Sequence, residues 1–92
     1  MIGRIRHKGL KRLYEKDDAS KVPAESREKI RRILGLLDQA SAPEQLDLPG
    51  LRLHRLTADR AGQYAVSVSG NWRIVFRFEN GEPTEVDLVD YH

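Results

Sequence analysis

The chain contains no cysteine. That excludes a disulfide framework and a thiolate zinc ribbon, and it fits a reducing compartment. Long apolar runs are missing as well. No stretch approaches the roughly 20 residues that a membrane helix needs. The opening Met1-Ile2-Gly3-Arg4-Ile5-Arg6 lacks the apolar centre of a secretory signal. These absences point to the cytoplasm, with no membrane partner. There are one Trp, three Tyr and two Phe, too few to build a core and also a broad stacking platform for RNA. The three histidines, His7, His54 and His92, are widely spaced, without the close pairing of metal ligands. No glycine-rich phosphate loop and no serine or cysteine nucleophile motif is present. Neither a metal nor a cofactor is expected.

Ninety-two residues, 39 % of them apolar and 33 % charged, suit one small domain, 1–92, with a modest core. Repeats, low-complexity tracts and linkers are absent. Net charge is only +2, but it is unevenly spread. Residues 1–35 hold eleven Lys or Arg against five acids; residues 36–92 hold five against nine. From Glu79 onward there are five acids and neither Lys nor Arg. The basic first part can attract a polyanion or simply solvate helix faces.

Helical spacing dominates the first half and strand alternation the second, which predicts an α+β fold. Residues 1–5 are expected as a short edge strand. Leu10, Leu13 and Tyr14 predict a helix over 8–16. Pro23 is placed at the first turn of a second helix, where its missing N–H costs nothing. Ile30, Ile33, Leu34 and Leu37 form that helix's apolar stripe. Glu25 and Glu28 lie near the positive end of its dipole. Ala40-Ser41-Ala42-Pro43 ends it. Residues 46–50 are a loop or a short helical turn. Strands are expected over 51–56, 64–69, 72–78 and 84–89.

Burial sets the register, because one residue of slip would turn every side chain to the wrong face. A three-residue loop over Ser69-Gly70-Asn71 pairs Val68 with Trp72 and Val66 with Ile74, with Asn71 expected in the left-handed region. An odd-numbered loop around Asn80-Gly81 then sets Ile74 opposite Leu88 and Phe76 opposite Val86. One face carries Tyr64, Val66, Val68, Trp72, Ile74, Phe76, Phe78, Val86 and Leu88 and packs on two N-terminal helices. The mainly antiparallel sheet's other face carries Ala65, Ser67, Arg73, Val75, Arg77, Val89 and Tyr91. Its small side chains are expected to leave a shallow polar groove, with a cation beside the chain's last residues.

Those last residues, Asp90-Tyr91-His92, bring an acid, a phenol and an imidazole together. Arginine offers a bidentate fork for phosphate, and histidine titrates near neutrality. RNA carries its own nucleophile, the 2′-hydroxyl. Cutting it requires only a base, a stabiliser of the phosphorane charge and an acid for the 5′-oxygen. Each residue also has a plainer role. His54 would be a half-buried strand histidine, and Arg73 a structural partner of Asp90 or Asp87. Tyr91 would be a strand-end aromatic, and His92 a frayed terminal residue.

The chain resembles the HigB toxins of the RelE-like toxin–antitoxin superfamily over nearly its whole length. The resemblance rests on His7-Lys8-Gly9-Leu10-Lys11, Leu53-His54-Arg55-Leu56, Asp59-Arg60-Ala61-Gly62, Asn71-Trp72-Arg73-Ile74 and Asp90-Tyr91-His92. It implies an endoribonuclease that cuts mRNA in the A site of the 70S ribosome and stops translation. It also implies a HigA-like helix-turn-helix antitoxin, through which alone operator DNA is bound. The resemblance gives His54, Asp90, Tyr91 and His92 catalytic roles and sets Arg73 at the scissile phosphate. Arg55, Arg60, Asn71, Arg77, Lys8 and Lys11 are expected to contact substrate or ribosomal RNA. One departure stands at Thr57, where the family often has lysine. Two other functions suit the same fold: inhibition of gyrase, as in ParE-type toxins, and binding without catalysis.

Overall fold

The computed structural model describes residues 1–90. Two helices and a four-stranded antiparallel sheet share one apolar core. Helix α1 covers Lys8–Lys16, the span its spacing predicts. His7 starts it, with Nδ1 accepting from the Leu10 N–H at 3.1 Å. Asp17 ends it in the left-handed region, its N–H donating to the Leu13 carbonyl. This closure satisfies a carbonyl that the helix end leaves open.

Pro23 does not open the second helix directly. A 3₁₀ turn over Ala24–Ser26 comes first, and helix α2 follows over Arg27–Gln39. Its predicted stripe, Ile30, Ile33, Leu34 and Leu37, is buried with Leu10 and Leu13 of α1. Residues 43–46 form another 3₁₀ turn, capped where Gln45 Oε1 accepts from the Ser41 N–H at 2.6 Å. No helix among the described residues is long and apolar enough to cross a membrane.

Two helical glycines have opposite surroundings. A Cβ on Gly9 would lie 2.3 Å from the Lys21 carbonyl oxygen, whereas one on Gly35 would meet nothing within 4 Å. Gly9→Ala should therefore lose about 1–3 kcal/mol through backbone displacement, more than the helix propensity it gains. Gly35→Ala should gain up to about 1 kcal/mol. Thermal melting checks the pair, and the two shifts must have opposite signs.

The strands are β1 (His54–Arg55), β2 (Tyr64–Ser67), β3 (Trp72–Glu79) and β4 (Glu82–Asp90), adjacent in chain order. The first hairpin has the expected register: Val66 faces Ile74, and the Val68 N–H donates to the Trp72 carbonyl at 2.9 Å. Asn71 is not left-handed. The Ser69 hydroxyl instead accepts from the Trp72 N–H at 3.3 Å and helps to close the loop.

The second hairpin departs from expectation in an informative way. Glu79 pairs with Glu82, so the turn holds only Asn80 and Gly81, both with positive φ. Asparagine–glycine favours this two-residue turn because its twist matches that of the strands. Continued regularly, the turn would set Phe76 opposite Glu85 and send Val86 to the wrong face. The register shifts between Val75 and Arg77, with Glu85 at φ 51. This bulge adds the one residue that restores Ile74 opposite Leu88 and keeps Phe76 and Val86 in the core.

The expected first strand is a single parallel bridge, Ile5 to Val86. Backbone bonds from Gly3 to Pro83 and from Arg6 to Val86 hold that segment beside β4. Glu85 reinforces it, standing 3.7 Å from both Arg4 and Arg6. At the other end, the Tyr14 hydroxyl donates to Asp38 at 2.5 Å, and the amino terminus donates to the Asp38 carbonyl. The bond to Asp38, aided by burial, pushes the Tyr14 phenol above its ordinary range.

Candidate active site

Antiparallel pairing decides which side chains share the face turned from the helices. His54 pairs with Ala65, Ala65 with Val75, and Val75 with Asp87, so these four form one cross-strand row. Ser67, Arg73 and Val89 form the next. The face is filled rather than hollow. Ala65 is 0 % and Val75 1 % exposed, so these two small side chains do not leave the open space expected over them. Half-buried Arg73 and Arg77 flank Val75 on β3, and long side chains readily cover such a floor.

His54 stands exposed on the shortest strand. The expected strand over 51–56 shrinks to two residues because Arg52 is left-handed, at φ 53. That turn brings the Arg52 carbonyl to 3.0 Å from His54 Nδ1. A carbonyl only accepts, so Nδ1 carries the proton in the neutral ring and Nε2 keeps a lone pair. In the neutral ring this leaves Nε2 as the acceptor, an orientation that depends on a backbone conformation no sequence pattern marks.

Arg73 is aimed at the β2–β3 turn, its Nη1 donating to the Ser69 carbonyl at 2.9 Å and the Trp72 carbonyl at 3.3 Å. Arg77 reaches the other way, to the Ala61 carbonyl at 3.5 Å. Gly62 makes room for it: a Cβ there would lie 2.6 Å from Arg77 Nη1. β2 lies between His54 and Arg73, so the two strands are about 10 Å apart by ordinary strand spacing.

The other expected site residues spread over several surfaces. Asp90 pairs with Trp72, which puts it on the helix side of the sheet, at the rim, and not on the face of Arg73. Tyr91 and His92 lie outside the described residues. Arg55 is also on the helix side, its Nη2 donating to the Tyr64 hydroxyl at 3.2 Å. Asn71 is exposed at the β2–β3 turn. Arg60 donates to Gln63 Oε1 at 3.3 Å within the loop that follows β1. Thr57 is exposed at the start of that loop's 3₁₀ turn. Lys8 and Lys11 line a groove of about 400 Å³ together with Arg4, Arg6 and Tyr14, apart from the His54 row.

Two residues near this face are not among the expected site residues. Arg52 orients the histidine through its carbonyl. Asp87, considered from the sequence only as a partner for Arg73, stands in the His54 row, with Oδ1 accepting from the Leu88 N–H at 2.9 Å. Alternation along β4 from Val89 would have found Asp87; no residue pattern signals the left-handed Arg52.

Comparisons with known proteins give a consistent picture. The sequence model of a family described as the RelE-like toxin of type II toxin–antitoxin system HigB matches residues 3–92. Endoribonuclease HigB of Proteus vulgaris is 40 % identical over 92 residues, covering the whole of both chains. A crystal structure of a YafQ mutant from E. coli superposes with a TM-score of 0.64 at 15 % identity, over 98 % of this chain and 91 % of that one. At that identity the last likeness speaks for the fold alone.

Proposed function

We propose, from the premise that this chain belongs to the HigB family of RelE-like type II toxins, that it is a ribosome-dependent endoribonuclease cutting mRNA in the A site. The observation that carries the proposal is His54, with Nδ1 held by the Arg52 carbonyl and Nε2 left with its lone pair. The name of the Proteus vulgaris relative supports RNA as the substrate.

The chemistry follows from RNA itself. His54 Nε2 takes the proton of the 2′-hydroxyl, whose oxygen attacks the adjacent phosphorus. Charge builds on the phosphorane oxygens, and Arg73 neutralises it. The P–O5′ bond breaks and His92 returns a proton to the leaving oxygen. The products are a 2′,3′-cyclic phosphate and a 5′-hydroxyl end, and no metal enters. Tyr91 orients the nucleotide, and Asp90 steadies the chain end from the rim. With threonine at 57, the phosphate charge falls mainly to Arg73.

Substrate geometry is the reason to place the reaction on a ribosome. Attack needs the 2′-oxygen in line with the P–O5′ bond, an arrangement relaxed RNA seldom adopts, so a bent strand in the decoding site suits the reaction better. Asn71, Arg60 and Arg77 contact the mRNA or nearby ribosomal RNA. Lys8 and Lys11 supply a phosphate contact that weakens with salt. A HigA-like antitoxin, which brings the pair to operator DNA, and a cytoplasmic setting complete the assignment.

The test is to add the purified protein to programmed 70S ribosomes and map the mRNA ends. One cut within the A-site codon is expected, with little cleavage of free mRNA. Intact mRNA together with stalled gyrase–DNA complexes would replace this function with gyrase inhibition.

A further inference from the structure

We propose that the guanidinium of Arg55 is a stacking platform for one nucleobase of the RNA substrate, at the open β1 edge of the sheet. The ligand class rests on the nuclease function proposed above. The site is distinct from the His54 face, because consecutive strand residues point to opposite sides.

The platform begins in the core. Arg55, Tyr64 and Phe76 occupy one cross-strand row. The Tyr64 and Phe76 rings are stacked with centroids 5.9 Å apart and planes 21° apart, and Phe78 meets Phe76 edge-on at 6.0 Å. On the outer side of Tyr64, Arg55 Cζ lies 5.5 Å from the ring centroid. The Tyr64 hydroxyl fixes it further by accepting from Nη2. A layered stack thus starts on buried Phe76 and ends on an exposed guanidinium.

Space for one more layer is present. A cavity of about 430 Å³ lies against Arg55 and Tyr64 and is bounded by Gln63, Thr57, Ala58 and Ala61. Its volume is in the range of small-ligand pockets, about 300–1,000 Å³. A second cavity, of about 280 Å³, shares Arg55 and Tyr64 and is lined by His54. Arg55 therefore stands between the larger cavity and His54, the proposed general base.

The chemistry favours a base over a phosphate. Among the described residues Arg55 makes no ion pair, and the Tyr64 ring and hydroxyl hold it in place. A planar cation held over a ring is suited to receive another π face. Gln63 Oε1 is engaged by Arg60, which leaves its amide N–H groups to donate to a base edge. RNA crossing the β1 edge would set a phosphodiester toward His54 and turn the neighbouring base onto Arg55.

Lysine at position 55 separates stacking from charge, because it keeps the cation and loses the plane. The probe is a 2′-O-methyl mRNA, protected from cutting, with 2-aminopurine at successive positions of the A-site codon, bound to 70S ribosomes. The wild-type protein should quench one position. Arg55→Ala and Arg55→Lys should both abolish that quenching and weaken binding about tenfold, the scale of one stacked base. Both variants should melt near the wild type, since the side chain is exposed.

If Arg55→Lys quenches and binds like the wild type, the contact is one of charge and the proposal is overturned. The same holds if the wild type sediments with ribosomes yet quenches no position. A protein that fails to sediment with ribosomes would defeat the nuclease function itself, a separate result with a separate readout.

Discussion

His54→Ala, or removal of His92, should lower mRNA cleavage on programmed ribosomes by about 10²–10⁴-fold each, the range expected when a positioned general acid or base is lost. His54 carries the more direct structural support. Its Nδ1 is tied to the Arg52 carbonyl at 3.0 Å, so the lone pair of Nε2 is presented in one orientation. Alanine removes both the proton acceptor and that orientation. Losing both histidines should cost little more than losing one, because an acid and a base acting in one displacement are not additive. The measurement is the single-turnover cleavage rate at saturating protein, alongside thermal melting. His54 is exposed on a two-residue edge strand, so melting should stay close to the wild type. Cleavage within a few-fold of the wild type in His54→Ala would remove that residue from the mechanism.

The largest effect on stability is expected at Phe76. It is fully buried at the centre of β3 and touches Tyr64 on one side and Phe78 on the other. Phe76→Ala removes most of a ring and leaves a cavity, at a cost of about 3–5 kcal/mol. Whole-protein stabilities run at about 5–15 kcal/mol, so a chain of this size would lose a large fraction of its stability. Urea unfolding should show the midpoint collapsing toward zero denaturant with little change in slope. An unchanged midpoint would mean that the sheet's inner face is not the core described here. The Arg55 stack would fall with it, since it is built on the Phe76 ring.

Both expectations draw on features that the sequence reveals unequally. The stripe of Ile30, Ile33, Leu34 and Leu37 and the α1 span were legible because helical spacing is a local property. The facing of Val66 and Ile74 was legible because only one register buries every apolar residue of the hairpin. The second hairpin was legible in outcome but not in route. Burial required Ile74 opposite Leu88, and an odd-numbered turn was the simplest way to reach it. The chain instead uses the two-residue turn that asparagine–glycine prefers and restores the phase with a bulge at Glu85. Local turn preference and distant burial were both satisfied, at the cost of one left-handed residue.

The candidate site was less legible for a related reason. Residue types and family resemblance pointed to His54, Arg73 and the chain's last residues. Whether residues share a face depends on pairing across strands, and that set Arg55 and Asp90 on the helix side and Asp87 in the His54 row. The filled floor over Ala65 and Val75 is likewise a matter of packing.

By itself, then, the sequence determined an α+β chain with a basic first part, two amphipathic helices and a sheet with one buried face. Those properties follow from the order and spacing of residues along the chain. The tertiary structure alone decided where β1 breaks off at Arg52, which nitrogen of His54 keeps its lone pair, and how Arg55 closes a stack begun on Phe76. The Arg55 stack joins three strands, and the Arg52–His54 contact, though only two residues apart, needs a left-handed backbone that neither residue type favours; packing selects both only once the chain has folded.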